Sequence, residues 1–582
     1  MRDIGTVTKG MHNGQEVLGI RLSWDKRYIT LGPKATLVGL AFRLFDPDKL
    51  LTKGEDVGIT VALIPANHPG VNIGRRHLPS GAAFPNGPNW GENVFIPMEF
   101  IIGGEKMLGQ GWRMLMECLA AGRAISLPSS ATAGAKSMLR VSTAYGRIRK
   151  QFGLPVSRME GIEEPLARMV ETAYVNEAGR AVTAAMVSRG EKPSVISALM
   201  KYQTTERLRK SVDDAMDIHG GRAICDGPTN YLQSAYLMVP VGITVEGANI
   251  LTRTLITFAQ GALRAHPYLY KEVQAVQNPD SEKGFEQFED AFLNHLSFSL
   301  SNMAGSFFHN ITLGFFGAVP ENARGTEKIY RQLWRQSRNF ALVSDLTVAV
   351  LGGGLKTKQK ITGRLADALS ELYLLSCVMK RFEDDGKPVA DRPIIALCAC
   401  NSLYRFELAL RGAVDNFPNT FVRGLMRVLV FPFGRHYYPA SDRLGSKVVR
   451  LACEPGEVRD RLTRHIYISN DVNDPTGILE VTLKKVIASE EAEKKLDRAI
   501  RAGTIRRYHG IDWFGDAVAK GVLTDAEAAQ LREVESLVAR VIAVDHFDPI
   551  ELKPNYMTPG HNAQAATANP GSAPRAGQAA AE

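Results

Sequence analysis

The sequence predicts an α+β chain that is mainly α, with a small sheet first and helices after it. Three observations carry this. Apolar residues recur at every second position near the start, then at helical spacing from Trp112 onward. Gly and Pro punctuate the early region, as in the run LPSGAAFPNGPNWG, which marks loops between short strands. The 582 residues exceed what a single hydrophobic core usually sustains, so several units are expected: 1–105, 106–268, 280–545 and a tail at 546–582.

In the first unit Leu18, Ile20 and Leu22 alternate with polar or small residues, as do Ile59, Val61 and Leu63 before Pro65. The second unit opens with Trp112, Leu115, Met116 and Leu119, the apolar stripe of a helix. Further helices are expected at about 130–150, 162–188, 193–218 and 246–264, joined by short loops into an antiparallel bundle. The helix over 193–218 ends at Gly220-Gly221, where positive φ can cap it. In the third unit Leu365, Ala368, Leu369, Leu372 and Val378 predict one buried helix face. The tail, from about Pro559, lacks apolar anchors and reads as disordered.

Composition narrows the function classes. At 45% hydrophobic and 23% charged the chain is of the ordinary globular class, and a net charge of +9 is compatible with anionic ligands or a membrane surface. No nucleic-acid-binding pattern is present, so no nucleic-acid partner is expected. Six cysteines over this length make no disulfide framework and point to a reducing, cytoplasmic setting. Cys398 and Cys400 lack the companions of a zinc site and read as buried free thiols; no metal is expected. The most apolar stretches, 307–319 and 343–351, are broken by His309, Asn310 and Asp345.

Four ordered motifs carry the chemistry. The first is WDKRYITLG with Tyr28 and Thr30; the second is NVFIPMEFIIGGEKMLGQGW, followed by Arg123 on a helix. The third is YGRIRKQFG, with Tyr145, Arg149, Phe152 and Gly153. The fourth is DAMDIHGGRAI with Gly220 and Gly221, followed by ITVEGANILTRT with Glu246 and Gly247. Together they resemble the acyl-CoA dehydrogenases. The match implies a partial middle β-domain, a helical flavin domain and FAD as cofactor, bound through Tyr28, Thr30, Arg149, Phe152, Gly220 and Gly221. Arg123 and Gly247 would meet the acyl-CoA, and Glu246 would be the catalytic base. Trp24, Leu31, Glu160, Val245 and Ala248 depart from the family pattern. The bland alternatives are a surface charge for Arg123, a solvated helix charge for Arg149, and a helix-capping role for Glu246.

The residue types suit that reaction. Taking the α-proton and β-hydride from a saturated acyl thioester needs a base and an electron sink, and no side chain accepts a hydride. A carboxylate serves as base if an apolar, water-poor site raises its pKa. A guanidinium such as that of Arg149 holds a pyrophosphate bidentately. In the family this Arg reaches the flavin of a neighbouring subunit, which implies a homo-oligomer, and the thioester oxygen is met by a flavin hydroxyl and the base's backbone N–H. A minority of members carry the base one position before the substrate-site Arg. That position is Gly122 here, and Glu117 lies a turn or more away on the same helix, which favours Glu246.

The third unit, with LGGGLKTKQKITGRLADALSELYLLSCVMKRFEDDGKP and GRHYYPASDRLG, resembles the C-terminal extension of bacterial FadE-type enzymes of fatty-acid β-oxidation. That implies trans-2-enoyl-CoA as product and electron-transfer flavoprotein as partner. An oxygen-using acyl-CoA oxidase and a non-catalytic helical scaffold are the rival readings. Gly352 to Gly354 lack a phosphate-loop pattern and read as a helix-connecting turn. In TFVRGLMRVLVFPFGRHYYP, arginines accompany Phe421, Val428 and Phe431, a pattern that fits either a buried helix face or a peripheral contact with the inner membrane. The family's N-terminal helical domain and its Thr-Glu-Pro loop are absent. The strand near Leu18 to Leu22 is therefore expected to lack its upstream neighbour, and the chain to be an inactive fragment by itself.

Overall fold

The computed structural model describes residues 3–547 apart from positions 52, 83, 262–264 and 509; the expected disordered tail lies almost wholly outside the described residues. Within them the chain is α+β and mainly α, as its periodicities predict. The strands β1 (Ile4–His12), β2 (Gln15–Thr30), β3 (Leu37–Phe45), β4 (Asp56–Pro65), β5 (Asn72–Ile73) and β6 (Asn86–Pro97) form one sheet in the order β4-β3-β1-β2-β6-β5. Only β1 and β3 run parallel; the other neighbours are antiparallel.

Two expectations about this sheet need correction. The Leu18–Leu22 segment is not short of a neighbour: β2 pairs with β1 through Val7↔Ile20 and with β6 through Ile20↔Ile96. The turn at Asn13-Gly14, both with positive φ, lets the chain supply that neighbour from its own first residues. In β4 Thr60, Ala62 and Ile64 are fully buried on one face; of the alternating apolar set on the other, Val61 is buried, Ile59 half-buried and Leu63 exposed. The alternation was visible, but two adjacent apolar runs left its phase open.

Helices follow from Gly111. The first four are α1 (Gly111–Ala124), α2 (Ser126–Ile148), α3 (Glu160–Ser188) and α4 (Ser194–His219). After Gln233–Thr244 the chain turns and resumes at Asn249–Leu251, which runs into a π-helical stretch, Thr252–Gln260. Gly220, with φ of 58°, ends α4 at its expected place. Gly352–Lys356 forms a short 3₁₀ turn between the helices Glu327–Leu351 and Gln359–Asp384. In the latter Leu365, Ala368, Leu372 and Val378 are buried, the predicted face.

The two helical stretches share a core. One buried cluster takes Leu139, Tyr145 and Tyr174 from α2 and α3, Leu374 and Phe382 from Gln359–Asp384, and Leu479 and Val541 from further along. Buried ion pairs cross the same boundary. Arg140 on α2 gives two hydrogen bonds to Glu480, at 2.9 and 2.7 Å, and Arg459 gives two more, at 2.8 and 2.6 Å. Among the described residues one helical segment, Val389–Asp415, is long and apolar enough by itself to cross a membrane, yet its Ile394, Cys398, Phe406 and Leu410 lie inside the protein.

Candidate active site

The chain leaves Gln233–Thr244 through Val245 and turns at Glu246 and Gly247, with φ of 55° and 97°. A left-handed glutamate is strained by about 1–2 kcal/mol, so the turn must be held from outside. Arg123 on α1 donates from Nε to the Glu246 carbonyl oxygen at 2.6 Å. Lys201 on α4 donates to the carbonyls of Ile243 at 3.1 Å and Gly247 at 2.8 Å, and to Asn249 Oδ1 at 2.7 Å. The Thr252 hydroxyl adds a bond to the Gly247 carbonyl at 3.2 Å. Asn249 in turn donates to Thr205 and Glu206 on α4.

The Glu246 carboxylate rests against Gly122 of α1. A Cβ at that glycine would lie 2.8 Å from Oε1, so any side chain there would displace the glutamate. The two positions at which the sequence could place a base thus meet at one point in space. Burial raises the Glu246 pKa, while the charges of Arg123 and Lys201 pull it back. Its Oε2 is buried without a protein hydrogen-bond partner. Lys201 is fully buried, and that burial, helped by the charge of Arg123, lowers it to about 8. Arg123 is 5% exposed, which removes the surface-charge alternative.

A second group lies at the ends of α2 and α4. Arg149 donates from Nη1 to the Tyr145 hydroxyl at 2.8 Å, and the Tyr145 ring stacks on His219 at 4.2 Å. Burial pushes His219 down to about 3, so its ring is neutral, and Nδ1–H donates to the Ala215 carbonyl at 2.7 Å. Arg149 makes no ion pair among the described residues. Gly220 and Gly221 have open space where a Cβ would stand, so a ligand can approach their backbone. Arg149 and Gly221 line one cavity of about 800 Å³. These features fit the phosphates of a dinucleotide. Phe152, at φ of 51°, is 96% exposed beside them.

Tyr28 and Thr30 stand apart on β2. Tyr28 is 80% exposed with its ring 6.0 Å from His77, and Thr30 lines a cleft with Ile29 and Leu31. Among the described residues no side-chain hydrogen bond joins either to Glu246 or Arg149. Sequence reasoning missed Lys201, Asn249 and Thr252. A lysine on a helix rich in polar residues reads as a solvated charge, and nothing in its spacing marks it as buried.

It also missed a cluster outside this site. Asp345 accepts from His295 Nε2 at 2.7 Å and from Ser299, and His266 Nε2 lies 3.4 Å away. His295 Nδ1 faces Glu272 Oε1 at 2.7 Å. The trio His266, His295 and Asp345 has the spacing of a metal site. The backbone N–H groups of Tyr268 and Leu269, however, both point at His266 Nδ1, at 3.2 Å each. That leaves Nε2 facing Asp345, buried and without a hydrogen-bond partner. Of the two neighbouring thiols only Cys398 is buried; Cys400 is exposed, since the helix turns it outward.

The chain matches the family description "Acyl-CoA dehydrogenase, C-terminal domain" over residues 109–259 and "Acyl-CoA dehydrogenase, C-terminal, bacterial type" over 263–547. It is 26% identical over 356 residues to "Probable acyl-CoA dehydrogenase FadE10" of Mycobacterium tuberculosis, covering 58% of this chain and 52% of that protein. A stretch of 97 residues is 59% identical to "Protein HemX" of Proteus mirabilis, covering 17% of this chain and 57% of that protein. The chain thus spans just over half the length of these curated relatives. In fold it is similar to an acyl-CoA dehydrogenase from Bacillus anthracis solved in complex with FAD, with a TM-score of 0.57 and 17% identity, over 78% of this chain and 72% of that one. Two adjoining family matches that together run from residue 109 to 547, over the helices that hold the Glu246 turn and all those after them, place this chain in the acyl-CoA dehydrogenase family, in its bacterial FadE-type branch.

Proposed function

We propose that this chain is the flavin-binding and base-bearing part of an enzyme that converts fatty acyl-CoA to trans-2-enoyl-CoA in fatty-acid β-oxidation. The observation that carries the reading is the Glu246 carboxylate, raised in pKa by burial and fixed on a strained turn by Arg123 and Lys201. Glu246 takes the α-proton. Arg123 and Lys201 hold the backbone of the turn that carries the carboxylate, and Gly122 leaves room for it. FAD, when bound, supplies the acceptor for the β-hydride. Arg149 and the open backbone at Gly220 and Gly221 would hold its phosphates. Electron-transfer flavoprotein is the proposed onward acceptor, and a second copy of the chain the proposed oligomeric partner.

The test is anaerobic bleaching of the flavin by a saturated acyl-CoA. Glu246→Gln is expected to retain FAD and slow bleaching by roughly 10²–10⁴-fold. Bleaching at the wild-type rate would remove Glu246 from its role, and hydrogen peroxide in air would identify an oxidase instead. A chain that takes up FAD yet is not bleached would be a fragment that needs further residues.

We also propose a cytoplasmic location with peripheral attachment to the inner membrane. From Ala291 to Pro320 the chain has no Asp, Glu, Lys or Arg, and Phe292, Leu296, Leu300, Phe315 and Phe316 are exposed. The helix Thr420–Val430 adjoins this stretch through Asn310, whose amide donates to the Leu429 carbonyl at 2.9 Å, and it exposes Phe421 and Val428 beside Arg427. Exposed aromatics bordered by arginine suit an anionic lipid surface.

A further inference from the structure

The cavity at Arg149 has a second wall that the family motifs do not account for. Its far side is built by the C-terminal helices Glu490–Arg501, Trp513–Ala519 and Asp525–Ile542, with Arg507 in the loop between the first two. There the Arg507 guanidinium lies 4.0 Å over the Trp513 ring, and Trp513 is backed by Phe514 at 4.5 Å. Arg507 is exposed and, like Arg149, has no carboxylate partner among the described residues. Lys150 and Glu493 form an ion pair between the two walls.

A cavity of about 800 Å³ is of the size that ligand pockets have. It offers an unpaired guanidinium beside open glycine backbone on one wall, and a flat cationic plate stacked on an indole on the other. The first suits a pyrophosphate and the second a purine, since bases stack on guanidinium planes and aromatic rings. We propose that Arg507 and Trp513 form the adenine-binding wall of this cavity, so that the C-terminal region completes the site for the ADP half of FAD. Arg507 is the contact residue, and Trp513 positions it by holding the guanidinium flat.

This inference rests on the flavin reading above, and the test separates the two. FAD and FMN are titrated against the full chain and against Arg507→Ala and Trp513→Ala, followed by flavin fluorescence, with ADP as competitor. Arg507→Ala is expected to weaken FAD binding about tenfold, a usual loss for a stacked base, and to weaken competition by ADP by about the same factor. FMN, which lacks the adenylate, should bind all three chains alike. Trp513→Ala should lower FAD affinity in the same direction. Arg507 is on the surface, so its variant should keep the wild-type melting temperature, which guards against misfolding. Unchanged FAD affinity in Arg507→Ala overturns the inference and leaves the dehydrogenase reading standing. A wild-type chain that takes up neither FAD nor ADP overturns both.

Discussion

At Glu246, burial and charge pull in opposite directions. Desolvation lifts the carboxyl above its usual range, and the nearby Arg123 and Lys201 cations limit the rise. A base works only when deprotonated, so flavin bleaching by acyl-CoA should fall as pH drops through this raised value. Removing a cation should move the limb further up. Lys201→Met is therefore expected to shift the acidic limb to higher pH, with Lys201→Arg restoring part of it; stopped-flow bleaching from pH 5 to 9 reads the shift. An unmoved limb would mean that Lys201 only supports the turn. His295 makes the opposite case. Burial alone would lower it, but its bonds to Asp345 and Glu272 outweigh burial and raise it. A group raised on folding stabilises fully below its unfolded value, near 6.5, and loses that effect as pH rises through the folded one. His295→Gln should thus destabilise the protein at pH 6 more than at pH 9 in urea melts.

The helices are joined by buried charge as well as by apolar packing. Glu480 lies between Arg140 and Arg459, and their bonds overcome its burial to hold it at about 2. Removing one partner from such a group leaves buried charge uncompensated, at a cost of roughly 3–5 kcal/mol. Glu480→Gln should lower the urea midpoint accordingly. A carboxylate depressed on folding gives stability that is present above its unfolded value and lost as pH falls toward the folded one, so wild type and variant should converge toward pH 2. None of this was legible in the sequence. Arg140 and Glu480 are 340 residues apart, and each reads locally as a solvated helix charge. What was legible is local: the helical stripes, the Gly220 cap, the Gly352 turn, and Glu246 with Arg123 as motif members. The sheet's first pairing was missed because Gly5 and Gly10 interrupt the apolar alternation of β1.

The membrane-facing reading belongs to the whole molecule, because no single element makes the surface. Met426 and Val430 face inward, so Thr420–Val430 is partly a core helix, while Phe421 and Val428 remain outside. The neighbouring stretch without Asp, Glu, Lys or Arg adds exposed Phe315 and Phe316 to that surface. An anionic surface should therefore attract the chain through its net charge of +9 and hold it by the aromatic side chains. Co-sedimentation with phosphatidylglycerol-containing vesicles should recover the protein at low salt, and neutral vesicles should recover less. Phe315→Ser with Phe316→Ser should cut binding at all salt levels, since it removes apolar contact and leaves charge intact. Arg423→Gln with Arg427→Gln should instead weaken binding mainly at low salt, where screening is least. Binding that ignores the phenylalanine pair would reduce the contact to general electrostatics. Dimers dissociated by the same substitution would assign the patch to a second copy of the chain.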